Sequence, residues 1–134
     1  SGTEGYEENA NVSLTASSDQ VRGTTASGTN CTSGHLWFNK SKNADVTTSP
    51  IRLYGATNLI LSYDQGTGGS SLTPSYSVDN GATWVELAAS GPGASTVNSY
   101  AITVDAETII LKFSHFSTNA KNTRFDNPSL TVAE

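Results

Sequence analysis

Apolar and polar side chains alternate along residues 58–64. Leu59, Leu61 and Tyr63 fall on one side of the chain, and Asn58, Ser62 and Asp64 on the other. A repeat of two residues is the period of a half-buried strand. Residues 108–115 repeat it, with Ile109, Leu111 and Phe113 on one face, and Val12, Leu14 and Ala16 share a face near the start. Residues 35–39 and 97–104 also read as strands. The run from 46 to 53 is interrupted by Pro50, which has no N–H for a ladder and belongs at an edge or a strand end. Leu130 and Val132 form a last strand, which the same argument starts after Pro128. Residues 17–34 are dominated by Ser, Thr, Gly and Asn, with Val21 the one large apolar residue, and read as loop or a weak edge strand. The first nine residues are polar, with Glu4, Glu7 and Glu8, and form a tail or an edge strand.

Turn signals separate these runs. Asp79-Asn80-Gly81 lies between residues 76–78 and 84–87 and predicts a hairpin. Residues 66–70 read as a flexible loop and Gly91-Pro92-Gly93 as another turn. No segment sustains a period of 3.6. About nine or ten short strands at regular spacing predict an all-β antiparallel sandwich or barrel. In a sandwich, Tyr63, Tyr76 and Phe113 belong to the core by the company they keep, and Trp84 joins them through its hairpin.

Composition narrows the picture. Only 14% of the 134 residues are charged and 35% are hydrophobic. Helices lean on Ala, Leu, Glu, Lys and Arg, whereas Ser, Thr, Val, Asn and Gly suit strands and turns. The length fits one domain, residues 1–134, which reads as a module cut from a longer protein. A net charge of −5 without a Lys/Arg run disfavours nucleic acid as a partner, because that interface rests on neutralising phosphates. No apolar run approaches the ~20 residues of a membrane span. Cys31 is the only cysteine, so no internal disulfide and no cysteine-based metal cluster forms.

Ser77-Val78-Asp79-Asn80-Gly81-Ala82-Thr83-Trp84 has the form S-x-D-x-G-x-T-W and resembles an Asp-box hairpin. Asp79 can accept hydrogen bonds from the turn's own N–H groups. Gly81 can supply a positive φ, and Trp84 then packs back across the hairpin. A structural role for Asp79, Gly81 and Trp84 follows, with no catalysis assigned to them.

The resemblance extends further. Leu36-Trp37-Phe38-Asn39-Lys40-Ser41, Ser49-Pro50-Ile51, the stretch 55–64, the Asp-box hairpin, residues 109–113 and Arg124-Phe125-Asp126-Asn127 follow one another in order. Together they resemble jelly-roll modules of bacterial surface and secreted proteins, namely carbohydrate-binding and choice-of-anchor-type domains. The resemblance covers residues 34–132. It implies a jelly-roll β-sandwich and a secreted or cell-surface setting. It also implies a structural calcium held by an Asp on the last strand and an N-terminal acidic residue. Asp126 is the candidate on one side and Glu4, Glu7 or Glu8 on the other. Pairing of Asp126 with Arg124, or a turn cap, is the competing reading. Pro128 departs from the aliphatic residue that usually follows in such modules.

Catalysis finds little support. His35 and His115 are the only histidines, no G-x-S-x-G elbow is present, and no His/Glu pattern has metal-ligand spacing. A sugar site instead needs an aromatic face ringed by hydrogen-bonding groups. Leu36 and Phe38 form a core pair, which turns Trp37 outward with His35 and Asn39. In the opposite register Trp37 is buried. Tyr54 likewise alternates away from Ile51 and Leu53, beside Arg52. Trp37, Asn39, Arg52 and Tyr54 are therefore the candidate ligand-binding residues. The expected protein is a non-catalytic, monomeric module whose partner is a polysaccharide or oligosaccharide. A structural or adhesive spacer with a protein partner is the alternative.

Overall fold

The computed structural model describes residues 12–24, 31, 34–66, 71–90 and 97–133. Among them, eleven strands form two antiparallel sheets. They are β1 (Leu14–Ala16), β2 (Val21–Thr24), β3 (His35–Phe38), β4 (Ala44–Thr48), β5 (Ile51–Arg52), β6 (Asn58–Gln65), β7 (Thr73–Ser77), β8 (Val85–Glu86), β9 (Val97–Thr103), β10 (Thr108–His115) and β11 (Thr123–Val132). One sheet runs β1-β4-β10-β7-β8, with β5 also paired to β10; the other runs β2-β3-β11-β6-β9. The all-β sandwich read from the sequence is the fold observed.

The core lies between the sheets and is built by strict alternation. β6 contributes Leu59, Leu61 and Tyr63, and β10 contributes Ile109, Leu111 and Phe113. At the centre, Tyr63 and Phe125 from the five-stranded sheet meet Phe113 from the other. Ring centroids stand 5.3 Å apart for Tyr63–Phe113, 5.2 Å for Tyr63–Phe125 and 4.6 Å for Phe113–Phe125. These edge-on and tilted pairs suit the ring quadrupole, at about 0.5–1.5 kcal/mol each beyond simple burial. The Tyr63 hydroxyl reaches the Tyr100 hydroxyl at 3.4 Å, and burial drives its pKa far above the ordinary tyrosine range.

Toward one end, His115 stacks on Phe38 at 5.9 Å. Its Nδ1 stands 2.9 Å from the Lys42 carbonyl oxygen and its Nε2 3.4 Å from that of Lys121. The ring thereby ties the 40–43 loop to the 116–122 loop. Both histidines are buried.

The weak edge strand read around Val21 is β2, the edge of the five-stranded sheet, with Val21 fully buried and residues Val21 to Thr24 paired with β3. One apolar residue is enough, because the strand needs only one side chain over the core edge. Two expectations change. The last strand begins at Thr123, not after Pro128. A register shift between Asp126 and Ser129 sets Pro128 in a bulge, where no ladder N–H is required. Trp84 is not a core residue. It lies half-buried with the Lys112 ammonium 4.0 Å from its ring centroid. Lys112 lies between the inward-facing Leu111 and Phe113, so Trp84 covers the outer face of the six-stranded sheet. Tyr76 packs against the core but is only partly buried. The loop 67–70 and the turn 91–93 lie outside the described residues.

Phe113→Ala should lower unfolding free energy by about 3–5 kcal/mol, the range for emptying a large core site. Val132→Ala, at an exposed position, should stay within about 0.5 kcal/mol. Urea midpoints at matched m-values measure both.

Candidate functional site

The register of β3 decides which way Trp37 faces. Leu36 and Phe38 are both fully buried in the core, so His35 and Trp37 point to the outer face of the five-stranded sheet. Trp37 sits half-buried there. Its cross-strand neighbours are Arg22 on β2 and Arg124 on β11. The Arg22 guanidinium lies 5.8 Å from the Trp37 ring centroid and its Nε donates to the Asp19 carbonyl oxygen at 3.1 Å. The result is a stripe of guanidinium, indole and guanidinium across three paired strands.

The next row across the same face is polar. Arg124 donates from Nη1 to His35 Nε2 at 2.7 Å; a guanidinium has only donors, so the imidazole nitrogen accepts. Asp126 pairs in register with Asp64 on β6. Asn127, at φ +50°, donates its backbone N–H to Asp126 Oδ1 and its side-chain amide to Asp64 Oδ2. His35 is 0% exposed and Asp126 4% exposed although both face away from the core. Cys31 lies beside them, also buried. Burial, with the carboxylates of Asp126 and Asp64, pushes its thiol up to about 11. The sulfur therefore stays protonated and is a poor nucleophile at neutral pH.

The other candidates divide. Asn39 donates its side-chain amide to Gln20 Oε1 at 2.8 Å and its backbone N–H to the Gln20 carbonyl, so it anchors the turn before β2. Tyr54 is 84% exposed, with the Arg52 guanidinium 5.0 Å from its ring centroid. It occupies the turn 53–56, closed by Ala56 N–H to Leu53 C=O at 2.9 Å. Tyr54 at φ +51° and Gly55 at +84° give that turn two left-handed central residues. Gly55 adopts this freely, whereas a tyrosine there costs about 1–2 kcal/mol. Trp37 and Tyr54 do not share a platform. Arg52 pairs with Thr108 at the start of β10, whereas Phe38 stacks on His115 at its end. Eight extended residues separate the two by about 23 Å.

The Asp79 hairpin is self-contained. Asp79 Oδ1 accepts from the Thr83 N–H at 2.9 Å and the Ser77 hydroxyl at 2.8 Å, and Oδ2 accepts from the Thr83 hydroxyl. Gly81 has φ +90° and donates its N–H to Ser77 Oγ. A Cβ built on Gly81 would stand 3.8 Å from Trp84 Cζ2, so the indole folds back over the turn. The Thr83 side chain first, then the Thr83 N–H and Ser77, hold the Asp79 carboxyl down at about 2.

Glu4 and Glu7 lie outside the described residues. Among the described residues, no group of three or more His, Cys, Asp or Glu could hold a metal ion. Calcium takes six to eight oxygens. Asp126, with Oδ1 engaged by the Asn127 N–H and Arg124 two residues before it, does not make such a site with the described residues alone. Arg22 and Arg124 are the site residues that sequence reasoning missed. Their link to Trp37 is a cross-strand register, which alternation along one strand does not reveal.

No protein-family model and no curated protein sequence matches the chain. Solved structures do match its fold. A family 61 carbohydrate-binding module, solved in complex with β-1,4-galactotriose, superposes with a TM-score of 0.65 at 12% identity, over 92% of this chain and 90% of that one. A family 35 module from Paenibacillus barcinonensis gives 0.64 at 15% identity, over 98% and 96%. A family 16 module gives 0.61 at 14% identity, over 84% and 85%. The chain thus has the jelly-roll β-sandwich fold of carbohydrate-binding modules. Among the described residues no helix is long and apolar enough to cross a membrane.

Asp79 carries a pH signature. Its folded-state pKa is lowered from 3.8 to about 2, so its contribution to stability is complete above the unfolded value and disappears as pH falls through the folded one. The melting temperature should drop between pH 4 and pH 2, and Asp79→Asn should flatten that segment while lowering the plateau near pH 7. An equal slope in both proteins would remove Asp79 from the acid response.

Proposed function

We propose that the chain is a non-catalytic carbohydrate-binding module of a secreted or surface-exposed bacterial protein, acting as a monomer. Its glycan stacks on Trp37, on the outer face of the five-stranded sheet. The observation that carries this reading is the half-exposed indole held between two arginines on paired strands. Sugar C–H faces stack on aromatic rings, and guanidinium forks bond hydroxyl and acid oxygens. A rigid sheet fixes all three side chains before the ligand arrives, which limits the entropy cost of binding. The fold likeness to carbohydrate-binding modules supports the reading, including one solved with a galactotriose. The non-catalytic part is supported by the burial of both histidines and by a thiol held protonated.

Trp37→Ala should keep the fold and weaken glycan binding by about 1–3 kcal/mol, the scale of interface hot spots. A glycan array with the isolated module, followed by calorimetry on the best hit and a melt of both proteins, tests this. A folded wild-type module that retains no glycan would leave the adhesive or structural spacer as its role. Calcium enters the proposal only through Asp126 and the N-terminal Glu4 or Glu7. Chelator should then lower the melting temperature and added calcium restore it. An unchanged melt in both directions removes the metal.

A further inference from the structure

His35 is buried where its strand faces outward. It lies on the same side of β3 as Trp37, away from the core, yet it is 0% exposed. Its ring meets the Arg124 guanidinium, whose Nη1 donates to His35 Nε2 at 2.7 Å. A guanidinium has no acceptor, so Nε2 carries no hydrogen and the proton of this tautomer sits on Nδ1.

Strand register sets up the contact. Arg124 on β11 lies directly across from Trp37 on β3. His35 stands two residues before Trp37, on the diagonal from Arg124, at a separation that a long side chain spans. The Arg124 side chain therefore leans along the sheet from its place opposite the indole to end on the imidazole. Among the described residues this is the only side-chain hydrogen bond that Arg124 makes.

The kind of partner decides what the guanidinium has left to offer. A carboxylate would take the fork bidentately and occupy it. One ring nitrogen takes one N–H and leaves the others of this half-buried group free of the described residues. The carboxylates of Asp126 and Asp64, on the same face, are bridged by Asn127. Arg22, on the other side of Trp37, is fixed in a similar way, by the Asp19 carbonyl oxygen of its own turn. Both arms beside the indole are thus held by uncharged acceptors. A long side chain that must be stilled on binding subtracts from affinity, and one stilled beforehand does not. The burial of the imidazole fixes His35, and His35 fixes Arg124.

From this we infer that His35 is a positioning residue of the Trp37 site: it presets the Arg124 guanidinium beside the indole, so that the remaining N–H groups receive hydroxyl oxygens of the sugar stacked there. The inference rests on the glycan-binding reading of that face. His35 itself touches no ligand and acts through Arg124.

The tautomer is read first, without ligand. Long-range proton–nitrogen NMR correlations of the imidazole at mildly alkaline pH should place the His35 proton on Nδ1 and leave Nε2 bare. A proton on Nε2 removes the acceptor and overturns the proposal. Binding is then read in native gels containing galactan, xylan, mixed-linkage β-glucan or galactomannan, with calorimetry on the polymer that retards the module most and a melting curve for every variant. His35→Leu, which loses the acceptor, should weaken binding about tenfold, the scale of one hydrogen bond to a charged group. His35→Gln sets an amide oxygen near the place of Nε2 and should restore most of the affinity, whereas the shorter His35→Asn should not. This polar pair decides the matter if His35→Leu fails to fold. In an Arg124→Ala background His35→Leu should cost nothing further, because the two act as a unit. The same loss with and without Arg124 would mark a merely structural histidine and overturn the inference. Wild-type affinity in both His35→Leu and His35→Asn, abolished by Trp37→Ala, would also overturn it and leave the glycan site standing. A folded wild-type module retarded by none of the polymers would remove the glycan reading and the role of His35 with it.

Discussion

The contact of Tyr63, Phe113 and Phe125 is the point on which the two sheets close. Each ring comes from a central strand of its sheet, β6, β10 or β11, so the three fix both the spacing of the sheets and the phase of the alternation along those strands. A slip of one residue in any of them would send an aromatic ring to solvent and a polar side chain inward. Once β11 is locked by Phe125, Arg124 must face outward. Once β3 is paired to β11 with Leu36 opposite Phe125, Trp37 must lie beside Arg124. The candidate site is a consequence of core packing, transmitted through two strand registers.

Much of this was legible where a strand is long and one of its faces is buried. Leu59, Leu61 and Tyr63, and Ile109, Leu111 and Phe113, announce their face by alternation alone. Even the four-residue β3 was readable, since Leu36 and Phe38 bracket Trp37. The limits were of three kinds. A hairpin motif says that its tryptophan folds back over the turn, not which side of the sheet it then covers, so Trp84 looked like core when it covers the outside of a sheet. Proline argues against a ladder only where an N–H is needed, and the bulge at Pro128 removes that need. Short strands in Ser- and Gly-rich sequence carry almost no periodic signal. Arg22 therefore stayed unread, although a single buried Val21 commits β2 to its place.

The two aromatic candidates, Trp37 and Tyr54, also differ in what holds them. Trp37 is carried on a paired strand whose neighbours on both sides are hydrogen-bonded. Tyr54 stands at the tip of a two-residue turn in a left-handed backbone conformation. Pairing by alternation and polarity treats them alike, yet one lies on a sheet face and the other in the turn between β5 and β6, at different ends. Only the register of β10, with Arg52 at its start and His115 at its end, separates them.

The chain's two tryptophans both lie outside the packed interior, one on each sheet and each beside a cation. Indole emission from this protein is consequently a surface signal with two separable sources. Replacing Trp84 by phenylalanine would leave a single fluorophore at the arginine stripe. Its quenching or blue shift would then follow occupancy of that face directly, without an added label and undisturbed by events in the hydrophobic layer.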